Sequence, residues 1–190
     1  RTSISRQREG LEVINSQVKN LTAFLDSYHR LTHLPEPEYK TVSVPALFTK
    51  LERLLQAEPR SERVVYCDGK ADRSTGKELQ VYGDANLLTL ALINLIRNAL
   101  QAVEGQEDGI VRVDTCAGAT GHLLITITDN GPGIPPERLS AIFTPFFSTK
   151  SGGSGIGLPI SQRIMQLHGG QLSVSSIPNV RTEFRMEDRK

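Results

Sequence analysis

Apolar residues recur at intervals of three and four along the first part of the chain. The repeat runs through Leu11, Ile14, Val18, Leu21, Leu25 and Tyr28. This spacing predicts a long helix over about residues 4–34 with an apolar seam, as in a coiled coil or an antiparallel helix hairpin. Because one helix cannot bury such a seam alone, we expect it to pack on a second helix, from a partner chain or from a segment outside this sequence.

Two prolines end this helical pattern. Pro35 and Pro37 remove backbone donors and force the chain into an extended path. We therefore expect a domain boundary here, between a helical segment at residues 1–35 and a globular domain at residues 36–190.

Beyond the prolines, runs with strand-like alternation are separated by runs with helical periodicity. Strands are expected at residues 40–44, 63–67, 78–82, 110–116, 122–129, 171–176 and 182–186. Helices are expected at residues 45–56, 85–103, 136–142 and 158–167, and a turn at residues 68–75. This order predicts an α+β fold, a two-layer sandwich of a mixed β-sheet covered by helices and preceded by the long coiled-coil-like helix, rather than a doubly wound sheet.

Composition narrows the functions open to the chain. A net charge of +1 with scattered basic residues argues against the clustered positive surface that general nucleic-acid binding requires. Cys67 and Cys116 lie in strand-like runs, so we expect buried, reduced thiols and a reducing, cytoplasmic compartment. The sequence contains neither a signal peptide nor the roughly 20 apolar residues of a membrane span. Since it starts at Arg1 rather than Met, we expect a fragment, with any membrane attachment in segments outside it.

Two glycine-rich turns give the strongest chemical signal. The first has the sequence DNGPGI at residues 129–134, and the second has GSGIGL at residues 153–158. Neither is a Walker loop, because no Gly-Lys-Ser/Thr follows the glycines, and the second does not fit a dinucleotide-binding fingerprint. Free amides at the start of the helix after the second turn would attract phosphate, and Lys150 would reach a terminal phosphate there. A flexible connector is the alternative for this turn.

Asp129 shares the parity of Leu123, Ile125 and Ile127 in the strand that precedes the first turn. Those three apolar side chains are expected to face the core, so Asp129 also points to the helix-covered side. Its carboxylate would accept a hydrogen bond from the amine of a flat ligand such as adenine. An ordinary Asp-Asn-Gly turn remains the alternative.

Asn94 and Asn98 are four residues apart on a largely apolar helix and therefore lie on one face. A buried amide without a partner costs about 1–3 kcal/mol, so two such amides imply a polar partner. A hydrated Mg²⁺ that bridges phosphate oxygens would satisfy an Asn carbonyl, and neighbouring backbone or water is the alternative. Between the two turns, three Phe residues at 143–147 predict both a hydrophobic plug and the anchor of a mobile lid.

In order and spacing, these segments resemble the catalytic ATP-binding domain of sensor histidine kinases. That domain has the Bergerat fold of the GHKL superfamily, which also holds type II topoisomerase ATPase subunits, heat-shock chaperones and mismatch-repair ATPases. The N box resembles residues 94–99, the first Gly box 129–133, the F box 143–147 and the second Gly box 153–158. The sequences RNALQA at residues 97–102 and FSTK at residues 147–150 most resemble those of the nitrogen-regulation type of histidine kinase.

The resemblance implies that Asp129 binds adenine, that Asn98 holds Mg²⁺ and that Asn94 lies beside the phosphates. It gives a catalytic set of Asn94, Asn98 and Lys150. The ATP-binding set that it implies is Asn94, Arg97, Asn98, Asp129, Gly131, Gly133, Ile134, Phe143, Thr149, Lys150, Gly153, Ser154, Gly155, Ile156, Gly157 and Leu158.

One position separates kinases from ATPases in this superfamily. The hydrolysing branches resemble one another in having Glu, a general base for water, one helical turn before the metal-binding Asn. Here that place is Asn94, whose amide is not a base, so we expect ATP to be retained for an acceptor side chain. By the resemblance, the acceptor is a His on a dimerisation helix, residues 1–35 are the second helix of that hairpin, the full protein is a homodimer, and a response-regulator receiver domain is the next partner.

The sequence departs from the family in two places. The acceptor His motif, with an acidic residue next to His, is missing, since Arg30 follows His29 and Leu34 follows His33. His122 and His168 are expected to be surface or packing residues. The last Gly box is eroded at residues 179–182, where the family has glycines. The alternatives are a non-catalytic nucleotide-binding interaction module, a GHKL-type ATPase, and a serine kinase of the anti-sigma type, which the N-terminal helix disfavours.

Overall fold

The computed structural model describes residues 15, 18, 22, 25, 28, 29, 33–67, 78–117, 122–150 and 153–188. The described residues before position 30 are helical and exposed, as predicted for a helix. Of the expected apolar seam, Val18 and Leu25 are each 55% exposed and Tyr28 is 51% exposed. Leu11, Ile14 and Leu21, like the turn expected at residues 68–75, lie outside the described residues. The described part of the seam is therefore open to solvent.

After the two prolines, the described part of the chain has seven strands, four α-helices and one short 3-10 helix at Ser61–Arg63. The strands are β1 (Lys40–Ser43), β2 (Val64–Cys67), β3 (Gln80–Gly83), β4 (Val111–Ala117), β5 (Leu123–Asp129), β6 (Gln171–Ile177) and β7 (Arg181–Glu187). The helices are α1 (Val44–Leu55), α2 (Ala85–Ala102), α3 (Pro136–Leu139) and α4 (Gly157–Leu167). Each element expected after the prolines is present, with ends shifted by at most a few residues.

Five of the strands form one mixed sheet in the order β2-β4-β5-β7-β6. Strand β2 is parallel to β4, whereas the other neighbours are antiparallel. Strands β1 and β3 form a separate antiparallel pair. Helices lie against one face of the large sheet, because α2 and α4 bury their apolar residues with those of β4, β5 and β7 in a single core. The predicted α+β two-layer sandwich is therefore confirmed.

The core explains why α2 is placed as it is. Its residues Leu92, Leu95 and Ile96 are fully buried, and burial of one such side chain contributes about 1.5–3 kcal/mol. Asp84 caps its first turn by accepting hydrogen bonds from the N–H groups of Asn86 and Leu87. The long helix that carries Asn94 and Asn98 is thus fixed along its length by packing and at its start by a cap.

Neither cysteine forms a disulfide, as expected, but neither is buried, so the expectation of buried thiols is wrong. Cys67 is half-buried, whereas Cys116 is exposed. On β4 the buried positions are Val111 and Val113, so the even-numbered Cys116 faces away from the helices.

None of the helices among the described residues is long and apolar enough to cross a membrane.

Candidate nucleotide site

A cavity of about 510 Å³ opens between α2, the start of α4 and the loops that connect β5 to α4. From α2 and β7 it is lined by Asn94, Arg97, Asn98, Gln101, Ala102, Thr182 and Phe184. From the first glycine turn it is lined by Asp129, Pro132, Gly133, Ile134 and Pro135. Residues 140–150 are called the lid segment below. The remaining lining residues belong to α3, to the lid segment, to the second glycine turn and to the start of α4: Arg138, Ile142, Phe147, Ser148, Thr149, Lys150, Gly153, Ser154, Gly155, Gly157 and Leu158.

The structure brings most of the predicted site residues to this one cavity. Three of the predicted residues, Gly131, Phe143 and Ile156, do not line it. Phe143 and Ile156 pack into the hydrophobic core, and Gly131 is buried below Asp129. Among the lining residues outside the predicted set, Gln101 and Ala102 continue the face of α2 that carries Asn98, so helical periodicity would have found them.

Asp129 is the last residue of β5 and is 2% exposed, as its parity predicts. Its Oδ1 accepts a hydrogen bond from the N–H of Gly131 at 3.0 Å. No group among the described residues donates to its second oxygen, Oδ2. Burial raises the pKa of Asp129 to about 6, although the Gly131 N–H and the charge of Lys150 act in the opposite direction. A buried carboxylate with an oxygen available at the cavity is an acceptor suited to a ligand amine.

The turn after Asp129 is held in place by the hairpin of β6 and β7. The N–H of Asn179 donates to the carbonyl of Pro132 at 2.8 Å, and the N–H of Ile134 donates to Ser176 Oγ at 2.8 Å. Gly133 has a φ of 72°, and a Cβ there would lie 2.7 Å from the carbonyl oxygen of Ile177. The first turn therefore requires glycine at this position, both for its backbone conformation and for its contact with the hairpin.

The eroded last Gly box still forms a regular hairpin. Strands β6 and β7 pair from Gln171–Glu187 to Ile177–Arg181, and the connecting turn places Asn179 at a φ of 59°. Asn is among the few residues with a side chain that adopt this left-handed conformation readily, so it replaces glycine here. The doubt that the sequence raised about this hairpin is thereby answered.

The two Asn residues of α2 face the cavity, but they have different surroundings. Asn94 Nδ2 donates to the carbonyl oxygen of Gly157, at the start of α4, over 3.4 Å. The Asn98 side chain, which is half-buried, has no hydrogen-bond partner among the described residues. An amide oxygen that is free at a cavity where phosphates would lie suits a hard cation such as Mg²⁺, whose ligands are oxygens.

The second glycine turn leads into α4 without a side-chain cap. The N-cap residue is Ile156, whose side chain makes no cap hydrogen bond, and no other side chain among the described residues accepts from the first-turn N–H groups of the helix. Gly155 has a φ of 65°, and its carbonyl accepts a hydrogen bond from the N–H of Phe146 at 3.0 Å. This contact closes the base of the lid segment. The first-turn amides of α4 are left to a ligand, and the positive end of the helix favours an anion.

Three cationic side chains line the cavity. Lys150 Nζ donates to Gln101 Oε1 at 2.7 Å, and burial lowers its pKa against the opposing charges of Asp129 and Glu104. In this structure the Lys150 ammonium group is thus held at Gln101 of α2, where it feels the charge of Asp129. The other two are Arg97 and Arg138, which lie on α2 and α3.

Arg97 is already paired in this structure, whereas Arg138 is not. The guanidinium of Arg97 donates through Nε and Nη2 to Glu58 Oε1, with 2.9 Å between Nε and the oxygen. Arg138 makes no ion pair with the part of the chain that the structure describes. Nothing in the sequence around Arg138 indicated that it would line the site, since its position depends on how α3 packs.

The F box has two structural roles. Phe143 and Phe147 pack against the core, which confirms the expected hydrophobic plug. Phe146 is 38% exposed and has a φ of 66°, a conformation that residues with side chains adopt only where their surroundings impose it. Its N–H bond to Gly155 supplies part of that constraint.

Comparison with known proteins is consistent with this site. Residues 83–188 match the family described as Histidine kinase-, DNA gyrase B-, and HSP90-like ATPase. The sensor histidine kinase ZraS of Salmonella typhimurium is 43% identical over 98 residues, which cover 52% of this chain and 21% of ZraS. The sensory histidine kinase/phosphatase NtrB of Vibrio alginolyticus is 33% identical over 180 residues, which cover 90% of this chain and 49% of NtrB. The chain therefore spans less than half the length of each of these relatives.

A solved structure of a histidine kinase has the same fold as this chain. The catalytic domain of the histidine kinase ThkA superposes with a TM-score of 0.66 at 28% identity, covering 80% of this chain and 96% of that domain. Its fold and the family match agree with the order of the four motifs along the chain. The chain belongs to the histidine kinase-, DNA gyrase B-, and HSP90-like ATPase family, as a catalytic domain of the sensor histidine kinase type.

Proposed function

We propose that this chain is the ATP-binding catalytic core of a two-component sensor histidine kinase. It binds Mg-ATP and transfers the γ-phosphoryl group to a His on a dimerisation helix outside this sequence, from which the group passes to an Asp of a response-regulator receiver domain. The observation that carries the proposal is the single cavity that joins a buried carboxylate, Asp129, to the unpartnered amide of Asn98 and the uncapped start of α4.

Adenine binds at the Asp129 end of the cavity. Its exocyclic amine donates to Asp129 Oδ2, while Oδ1 stays bonded to the Gly131 N–H. Ala102, Ile134 and Ile142 offer apolar surface to the base on either side of this contact. The positive charge of Lys150 favours the ionised form of Asp129, which is the better acceptor for the amine.

The phosphates bind at the other end, where α4 begins. The free N–H groups of its first turn, at Gly157 and Leu158, donate to phosphate oxygens. Asn98 is the residue that would hold Mg²⁺, through its amide oxygen, and the cation would supply charge neutralisation for the phosphate oxygens. Arg97, Thr149 and Lys150 are additional phosphate contacts, with Lys150 reaching the terminal phosphate once the lid segment closes.

The chain's contribution to phosphoryl transfer is positioning and charge neutralisation. An imidazole nitrogen of the acceptor His attacks the γ-phosphorus in line, the bond from phosphorus to the β,γ-bridging oxygen breaks, and ADP leaves with that electron pair. Asn94 bonds to Gly157 and has no lone pair basic enough to take a proton from water. Hydrolysis therefore competes poorly with transfer to His.

Residues 1–35 provide the connection to the rest of the kinase. In this proposal they are the second helix of the dimerisation hairpin, and residues 36–190 are the catalytic domain. The open seam at Val18 and Leu25 supports a missing helical partner, which a homodimer of the full protein would supply. The solved complex of ThkA with the response regulator protein TrrA gives a precedent for the onward partner. The domain works in the cytoplasm, with any membrane anchor in other segments of the full protein.

A transfer assay tests this function. The chain is incubated with γ-labelled Mg-ATP and a separate helical hairpin that carries the acceptor His, in parallel with Asn98→Ala. We expect label on the added hairpin and its loss in the variant. Steady release of phosphate without acceptor would instead indicate an ATPase, and tight ATP binding with neither reaction would indicate a non-catalytic binding module.

A further inference from the structure

A buried histidine joins α2 and α4 at the ends of these helices that are remote from the cavity. The N–H of Asp84 donates to His168 Nε2 at 2.9 Å, and His168 Nδ1 lies 2.8 Å from the carbonyl oxygen of Ile164. Because Nε2 accepts, the proton is on Nδ1, and the neutral ring bridges the start of α2 and the end of α4. His168 is 2% exposed, so water does not compete for this bridge.

The Asp84 carboxylate extends the bridge to the segment before β1. Its Oδ1 caps α2, and its Oδ2 accepts a hydrogen bond from the N–H of Glu38 at 2.9 Å. Burial acts to raise the pKa of Asp84, but the hydrogen bonds from the three backbone N–H groups of Glu38, Leu87 and Asn86 hold it below its usual value. The carboxylate is therefore ionised at neutral pH, and hydrogen bonds to an ionised acceptor are stronger than neutral ones.

Tyr39 attaches the same segment to α4. Its hydroxyl donates to the carbonyl oxygen of Leu167, the last residue of α4, at 2.5 Å. Its ring meets the His168 ring edge-on, with 5.6 Å between centroids, and stacks on Tyr82 at 5.8 Å. Residues 38 and 39 are thus bonded to the start of one nucleotide-site helix and to the end of the other.

The two helices run antiparallel, and α4 is tied to α2 at both of its ends. At the cavity, Asn94 bonds to Gly157, and at the remote end Asp84 bonds to His168. A rise of about 1.5 Å per residue places the two ties about 15 Å apart along α2. Over such a length a helix moves as a rigid element, so a displacement where α4 meets the phosphates also changes the geometry at Leu167 and His168.

We propose that Tyr39 is a positioning residue that, with the His168 bridge, couples nucleotide in the cavity to the docking of residues 38 and 39. Phosphates that fix the first turn of α4 also fix its last turn, which holds Tyr39. By linkage, docking of Tyr39 favours the phosphate-binding position of α4 by the same factor. Since this segment leads from the N-terminal helix, ATP occupancy and the placement of that helix depend on each other. The inference rests on the proposed ATP site.

Amide hydrogen exchange of the full chain, with and without Mg-ATP, tests the coupling. In the wild type, ATP should slow exchange of the Glu38 N–H severalfold. Tyr39→Phe removes only the hydroxyl, and it should speed that exchange on the order of fivefold, the factor that corresponds to one hydrogen bond of average net strength. The same variant should weaken ATP binding severalfold and leave adenosine binding unchanged. Tyr82→Phe removes an exposed hydroxyl from the stacked ring and should match the wild type.

The outcomes separate this inference from the proposed function. A wild-type chain that binds ATP without slower Glu38 exchange would overturn the coupling and leave the ATP site in place. A wild-type chain that does not bind ATP would overturn the proposed function itself. Equal losses of ATP and adenosine affinity in Tyr39→Phe would show a general structural defect and contradict the positioning role.

Discussion

Asn94 donates its side-chain amide to the carbonyl oxygen of Gly157 over 3.4 Å and so ties the middle of α2 to the start of α4. The residue whose identity favours a kinase over an ATPase therefore also fixes the helix that would hold the phosphates. Replacement by a carboxylate would do more than add a base. It would remove the donor and place a negative charge against a carbonyl oxygen.

We therefore predict that Asn94→Asp lowers both stability and ATP affinity. Loss of a half-buried donor with its acceptor left facing a charge costs about 1–3 kcal/mol, measurable as a lower urea midpoint. Asn86→Asp is the matched control on the same helix, because Asn86 is exposed and uses its Oδ1 only to accept from Lys50 at 2.7 Å. Equal effects of the two substitutions would show that the tie to Gly157 contributes nothing.

Asp129 gives the nucleotide-free domain a distinctive dependence on pH. Burial raises the pKa of its carboxyl group from 3.8 to about 6, so ionisation costs the folded state more than the unfolded state. The free energy of unfolding should therefore fall as pH rises from about 4 to about 6 and level off above that. Asp129→Asn removes this contribution. Urea unfolding of both proteins at pH 4.5, 6 and 8 measures it, and parallel stability curves would contradict the raised pKa.

Gly155→Ala should open the base of the lid segment. A Cβ at Gly155 would lie 2.6 Å from the carbonyl carbon of Phe146, and the φ of 65° is unfavourable for alanine. Gly105→Ala is the matched control, because Gly105 has a φ of 81° with nothing within 4 Å of a new Cβ. In the control, the free energy of unfolding should fall only by the cost of the left-handed conformation for alanine, about 1–2 kcal/mol. In Gly155→Ala it should fall by more, and ATP should bind at least tenfold more weakly. Calorimetric melting and ATP titration of both variants measure this.

Periodicity alone predicted which side chains of β5 and α2 would face the cavity. Asp129 follows the alternation of Leu123 to Ile127 in a strand with one buried face, and Asn94 and Asn98 follow the helical repeat. These patterns are local, so the chain itself determines which way such side chains point. The hairpin at Asn179 was in doubt because the missing glycines were evident in the sequence, whereas the tolerance of Asn for a left-handed conformation decides the outcome.

Other features of the site depend on tertiary contacts that no local pattern encodes. Arg138 lines the cavity because α3 packs above it, and Lys150 lies near Asp129 because the lid segment adopts this conformation. His168 is a packing residue, which is one of the two expected outcomes, but the sequence does not indicate its partners Asp84, 84 residues away, and Tyr39 in the segment before β1. The exposure of Cys116 depends on the register of β4, which places its side chain on the open face of the sheet.

Titration of the chain with ATP and with adenosine, each with and without Mg²⁺, tests most directly whether the cavity has an adenine end and a phosphate end. Asp129→Asn should weaken the binding of both ATP and adenosine about 10-fold or more, which is the effect of losing a hydrogen bond to a charged group. Asn98→Ala should remove only the gain in ATP affinity that Mg²⁺ provides, and Asn86→Ala should match the wild type. An Asn98→Ala chain that keeps the full effect of Mg²⁺, or an Asp129→Asn chain that binds adenosine as the wild type does, would contradict the proposed pocket.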